Sequence, residues 1–442
     1  MATSIAFAFT CFSYAADLRL AGQPEPLAPL GEGKGIHPGR VVWIHNPAVS
    51  DWQGPGHGHW WEDNHTRQPE VNLMVSQALQ KLTGAVTDAE AWDQLFRYVN
   101  HARGKGKVGY RPGEKIALKV NWVGMIWREG HVNEETYSFK DREDYMNTSP
   151  QMILALLQQL VEVVGVKEED ISVGDTLAYL VNEFYDLLHA RYPKVCYVDY
   201  GGRKGRLKAR VSTVPFYWSC RPTGREPDYL PTFIADAYYL INLANLKAHT
   251  GAGVTLCAKN HYGSLVRWPV QKGYYDMHPS AFSTQTNIYR APVDLIGHAH
   301  FGGKTVLYLL EGLYSGKHPI DPVPRRWNSA PFNGQWTCSL FASQDPVAID
   351  SVGFDFLWNE WSDYPRKAGA DDYLHEAALA SQPPSGTFYD PDHAESTKRL
   401  PSLGVHEHWN NADEKRYSRN LGKDQGIELI GVQLGKVNPK SE

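Results

Sequence analysis

Between residues 115 and 199 the spacing of apolar residues switches repeatedly between strand and helix period. This constrains the fold more than any other feature of the chain. Ile116, Leu118 and Val120 alternate with Lys115, Ala117 and Lys119, which is strand period over residues 115–122. Ser149 and Pro150 then open a helix to about residue 164, with Ser as N-cap and Pro at the first helical position. Residues 171–173 read as a buried strand ending in Gly174 and Asp175, followed by a helix near 181–190 and a strand over 195–199. Such alternation predicts an α/β core with a largely parallel or mixed sheet flanked by helices. Further strands are expected at 238–243, 305–310 and 339–342, and a helix from 346 to about 361.

Three segments follow from this. Residues 1–104 form an N-terminal arm, a His/Trp-rich loop and a helical extension; residues 105–362 form the α/β core; residues 363–442 form an irregular C-terminal extension packing on it. In the first segment, 21–40 is Gly/Pro-rich and extended, and 41–44 is a short strand. Apolar residues from 70 to 98 fall at helical spacing, as two helices broken near Thr83-Gly84. Thr87 and Glu90 match a capping box. Ile5, Phe7, Phe9 and Cys11 alternate with small residues, and two readings of residues 2–16 stay open. One is an ordered strand or arm. The other is an export-signal remnant lacking a basic start, which tips localisation slightly toward an exported protein.

A net charge of −5 argues against a general nucleic-acid binder. No apolar run reaches the roughly 18 residues of a membrane-spanning helix. The 14 Trp and 24 Tyr suit half-buried surfaces and lead us to expect a homo-oligomer. None of the five cysteines is spaced as C-x-x-C, so no iron-sulfur cluster or all-cysteine zinc site is expected. One bridge, such as Cys196 with Cys220, is left open.

Ligands of α/β sheets collect at the carboxyl ends of strands. Lys119 and Asn121 end the first core strand and Asp175 the second. Lys247, His249, Lys259 and Asn260 follow the strand at 238–243 among glycines and small apolar residues, where unpaired polar groups are costly. Lys247, His249 and Lys259 are therefore the candidate catalytic groups, with Lys119, Asn121 and Asn260 binding substrate. Asp175, Asp345 and Asp350 are candidate ligands of a divalent metal ion, or orienting groups for His249. Asp345 before Pro346 also has the simpler reading of a helix N-cap, and Asp350 that of a charge near the same helix's N-terminal end. A second candidate metal cluster is His57, His59 and His65; its competing reading is a loop whose Trp60 and Trp61 pack on the core while the histidines face water. His298 and His300 form a weaker pair. The basic stretch 201–210 reads as a solvated loop or hairpin. There is no Gly-x-Ser-x-Gly elbow, Walker loop, Gly-x-Gly-x-x-Gly or His-Glu-x-x-His.

Lys119-Val-Asn121, Gly174-Asp175, Leu246-Lys247-Ala-His249-Thr250, Gly253-Val-Thr255, Ala258-Lys259-Asn260, Tyr262-Gly263 and Ala342-Ser-Gln-Asp345-Pro-Val-Ala-Ile-Asp350 together resemble the domain-of-unknown-function 362 family. Their order and approximate spacing agree from about residue 115 to 360. The resemblance implies a fold and a residue set, but no reaction. Where that family usually has Asp-Gly, this chain has Glu311-Gly312. Some members look linked to iron-sulfur modules, an association not carried over because the cysteines are lacking. His249 and Lys259, ten positions apart after a strand, also resemble the catalytic half of nickel-pincer lactate racemases, on those two residues alone.

The sequence thus points to an enzyme of open reaction class that binds a small anionic molecule with a divalent metal. The alternative is a non-catalytic binding or assembly protein that uses its arm and aromatic surface to form oligomers.

Overall fold

The computed structural model describes residues 28–220, 227–266, 278–319, 321–393 and 399–435. Ten strands make its main sheet: Arg40–His45 (β1), Ile116–Lys119 (β2), Ile171–Gly174 (β3), Cys196–Asp199 (β4), Leu207–Lys208 (β5), Tyr239–His249 (β6), Gly253–Thr255 (β7), Thr305–Gly316 (β8), Ser339–Ser343 (β9) and Glu428–Gln433 (β10). Their order is β10-β1-β9-β8-β6-β2-β3-β4-β5, with β7 folded back on β6. From β8 to β5 every neighbour is parallel. β9 is antiparallel to both β8 and β1, and β10 is parallel to β1. The sheet is therefore mixed with a parallel centre, as the alternation of elements predicts.

Helices cover both faces. Gln68–Thr83 (α1), Asp88–Ala102 (α2), Pro150–Gln158 (α3) and Asn182–Arg191 (α4) bury Leu79, Phe96, Leu156 and Phe184 in one core with Leu118, Ile241 and Leu309 of the sheet. Pro346–Glu360 (α6) and Asp372–Ala378 (α7) build a second core with Leu246, Leu310 and Phe341. Leu309 and Leu310 thus face opposite cores, as the two-residue period of a strand requires. A one-turn helix, Cys257–Asn260 (α5), follows β7.

Several helix starts follow local chemistry. Ser149 accepts from the Met152 amide with Pro150 behind it, and Thr87 and Glu90 complete their reciprocal capping box. The third core helix is α-helical only to Gln158; residues to Val164 widen into a π-turn that stops at Gly165, φ 81°. Trp52, Trp60, Trp92, Trp122 and Trp327 are fully buried, so much of the aromatic content fills the interior. Cys196 is a free thiol, so the bridge to Cys220 is not formed; Cys257 and Cys338 are also free. The C-terminal segment is mostly irregular but carries α7 and β10. No helix of the described residues is long and apolar enough to cross a membrane. The arm or signal expected over residues 2–16 lies outside the described residues.

Candidate functional site at the strand ends

Register brings the site together. Lys119 of β2 lies opposite Asn242 of β6 on one side and Gly174 of β3 on the other. The carboxyl ends of β2 and β3 therefore share one edge, where Asp175 follows. β6 continues past it to Lys247 and His249, held by β7 through the pairs Lys247–Thr255 and His249–Gly253.

Lys119 is fully buried. Its Nζ donates to Asp175 Oδ2 at 2.9 Å, to Asn260 Oδ1 at 3.1 Å and to the Val120 carbonyl, which uses all three ammonium hydrogens. Burial pulls its pKa down, and the Asp175 charge works in the opposite direction. Asn260 Oδ1 also accepts from Asn121 Nδ2 at 3.1 Å, while Asn260 Nδ2 donates to Asn242 Oδ1 at 2.8 Å. Asn121 Oδ1 in turn accepts from Lys247 Nζ at 3.0 Å. One polar chain thus runs from Asp175 through Lys119, Asn260 and Asn121 to Lys247.

Lys247 is the anomaly in that chain. It is fully buried, yet its partners are neutral: Asn121 and, at 3.4 Å, the Met146 carbonyl. Among the described residues no carboxylate pairs with it. Burial first, and the Lys259 charge second, hold its pKa well below the ordinary lysine value. His249 Nδ1 accepts from the Gly251 and Ala252 amides, both at 3.1 Å, so the ring proton sits on Nε2. Burial and Lys259 also hold the His249 pKa well down, which keeps the ring neutral.

These groups border a cavity of about 70 Å³. That is roomy for several waters or for one small polyatomic anion, since a single water needs only about 10–15 Å³ by the same measure. Asn121, Asp175, His249, Lys259 and Asn260 are in its wall, and Asp175 is the wall's only acid among the described residues. Thr255 is there too, with its buried hydroxyl lacking any hydrogen-bond partner. Lys247 stands one layer behind, reaching the wall through Asn121.

The other two aspartates do not join this wall. Asp345 is buried and caps α6, accepting from the Val347 and Ala348 amides and also from Lys34 and Val405. Its N-cap reading is the one the structure supports. Asp350 accepts from the Cys257 and Ala258 amides and the Tyr373 hydroxyl, so it fixes the start of α5, the turn that carries Lys259 and Asn260. Nor do the loop histidines converge. His57 is exposed, His59 pairs with Glu143 at 2.7 Å and His65 lies 3.6 Å from Glu62, while Trp60 and Trp61 are buried. His298 is buried with Nε2 3.1 Å from the Pro215 carbonyl. In the basic stretch, Arg206 is buried over the Tyr185 ring.

One group escaped the sequence reading. Asp371, His406 and His408 bring ligand atoms within 4.8 Å of one another, the only such His/Cys/Asp/Glu group among the described residues. The available signals were His406-x-His408, which a strand places on one face, and Asp371 with His375 at helical i,i+4 spacing.

A family model described as a domain of unknown function, DUF362, matches residues 135–355, half of the chain. That stretch contains Asp175, Lys247, His249, Lys259 and Asn260. No curated protein matches the chain.

Proposed function

The chain belongs to the DUF362 family, whose description assigns no reaction; from the geometry, we propose that the strand-end cavity binds a small anion bearing a carboxylate or phosphate group. The observation that carries this reading is the charge imbalance around the cavity. Lys259 is in the wall with Lys119 and Lys247 behind it, Asp175 is the wall's only acid among the described residues and is paired with Lys119, and Lys247 is buried on neutral hydrogen-bond partners with Glu311 acting on it only through space. A lysine buried in such surroundings favours an anion that enters, because the anion stabilises its protonated form. Lys259 and the Nε2–H of His249 are the direct donors, with the unpartnered Thr255 hydroxyl beside them. Lys247 acts through space and through Asn121.

Lys247 and His249 are both biased toward their neutral forms; His249, in the wall, is placed to donate a hydrogen bond through Nε2, and Lys247, behind Asn121, is placed to gain a proton when an anion enters.

Calorimetric titration with inorganic phosphate and with acetate tests the binding reading. A charge-assisted hydrogen bond is worth about 1.5–3 kcal/mol, so Lys259→Met should weaken binding roughly 10- to 100-fold. Binding should also take up protons, because an anion raises the pKa of Lys247; titrations in buffers of different ionisation enthalpy read this directly. If the wild-type chain binds neither probe, or Lys259→Met binds both as tightly with an unchanged circular dichroism spectrum, the reading fails.

A further inference from the structure

Behind the second core, on the far side of α6, two buried histidines turn their Nε2 atoms toward one point. Ser351 Oγ lies 2.7 Å from the Val347 carbonyl and 2.9 Å from His406 Nδ1. A hydroxyl has one hydrogen, and the carbonyl can only accept it. His406 Nδ1 must then donate to Ser351, which leaves Nε2 as a lone pair. His406 is fully buried and that Nε2 has no hydrogen-bond partner.

His408 repeats the arrangement with a carboxylate. Its Nδ1 donates to Asp355 Oδ1 at 2.6 Å, and Asp355 Oδ2 is held by the Trp409 amide and the Tyr417 hydroxyl. His408 is 2% exposed, and its Nε2 also lacks a hydrogen-bond partner. Asp371 Oδ2 lies 3.5 Å from that nitrogen. On the solvent side, His375 Nε2 stands 3.8 Å from the same Asp371 oxygen.

We propose that Asp371, His406 and His408 bind a first-row divalent cation, with His375 at the edge of the site. Histidines that ligate metals characteristically donate their second ring N–H to a carboxylate or another acceptor, which fixes the ring and its tautomer. Both histidines do so here, one to Ser351 and one to Asp355. Two imidazoles and a carboxylate suit zinc or its neighbours better than calcium or magnesium. The ligand atoms lie within 4.8 Å of one another. A tetrahedral ion with bonds of about 2.1 Å wants them about 3.4 Å apart, so closure needs side-chain shifts of about 1 Å. Asp371, partly exposed just ahead of α7, is the ligand with room to move. The helix itself is anchored by the buried Asp372–Arg290 pair at 2.7 Å. Three protein ligands with solvent on one side leave a coordination position for water or for His375. The site shares no residue with the lysine cavity and stands whether or not that cavity binds an anion.

The rival for the same atoms is a metal-free ion cluster with a proton on His408 Nε2 facing Asp371. The full-length protein, stripped with a chelator and titrated with Zn²⁺ alone, separates the two. We expect one Zn²⁺ per chain by elemental analysis after desalting, and visible d–d bands of a low-symmetry site when Co²⁺ is used. Asp371→Asn at the partly exposed ligand should lower Zn²⁺ affinity at least tenfold without unfolding the chain, as should His406→Gln. His59→Ala/His65→Ala should leave the stoichiometry unchanged. Failure of the stripped, folded wild-type chain to retain Zn²⁺ would overturn the proposal. So would Asp371→Asn and His406→Gln variants that bind like the wild type, or loss of the ion in the loop double variant alone.

Discussion

Glu311 is a buried carboxylate in the extension of β8. Both of its carboxylate oxygens accept from the Ser149 amide, at 3.2 and 3.1 Å, so it supports the start of α3 from β8. Burial pushes its pKa up to about 7, against the Ser149 hydrogen bonds and the nearby Lys247. The folded value therefore lies above the unfolded one of 4.5. Such a group contributes stability that is fully present below about pH 4.5 and lost as pH rises through about 7, at most roughly 3 kcal/mol. Glu311→Gln keeps an acceptor and removes the ionisation. The variant should match the wild type at pH 5, exceed it at pH 8, and show a flatter decline of urea midpoint between them. Other buried carboxylates, including Asp350, also rise to about 7, so the difference between the two proteins, not the wild-type slope, isolates Glu311. Parallel declines would refute the assignment.

At the scale of elements, what could be read from the sequence was what local chemistry decides. Thr87 with Glu90, Ser149 with Pro150, and Asp345 with Pro346 each announce a helix start, and each caps one. Thr87→Ala should therefore cost about 1 kcal/mol, read as a lower urea midpoint with faster amide exchange in the first turn of α2. Thr87→Ser should recover most of it, and a Thr87→Ala chain with unchanged exchange there would show that the cap contributes nothing. Strand ends were less legible. The strands expected at 238–243 and 305–310 run on to His249 and Gly316. Their extensions bury Asn245, Lys247, Glu311 and Ser315, which hydropathy assigns to solvent. Most of these polar atoms find partners in the chain around them: Ser315 donates to the Leu246 carbonyl, and Thr148 links Asn121 to Asn245 Oδ1, while Asn245 Nδ2 has no hydrogen-bond partner. Only the assembled sheet supplies such partners. For the same reason, Lys119, Asn121, Asp175 and Lys247 could be grouped from strand-end positions, whereas the partners of Asp350 and of the histidines at 406 and 408 depend on elements far apart in the chain.

The whole molecule is a sheet that must protect two edges. At one edge, β5 is two residues long and exposed, carries Lys208 and is followed closely by the exposed Arg210, so brevity and charge discourage pairing with another chain. At the other, β1 carries fully buried Val41, Val42 and Ile44 and would be an inviting edge if bare. It is covered by β10, which pairs with it in parallel over six residues, from Arg40–Glu428 to His45–Gln433. Arg40 and Glu428 add a salt bridge at 2.7 Å. The segment that reads in sequence as a surface wrap thus supplies the sheet's outermost strand on that side. A chain ending at Ile427 tests this, because it keeps the Ile427 amide on the Glu407 carboxylate and the buried Ile427 side chain while removing β10. It should unfold at lower urea than the full chain and show mass that grows with concentration in light scattering, as the bare edge of β1 pairs between molecules. Equal midpoints and a mass independent of concentration would mean that β10 protects nothing and that side chains on the two faces alone hold β1 in place.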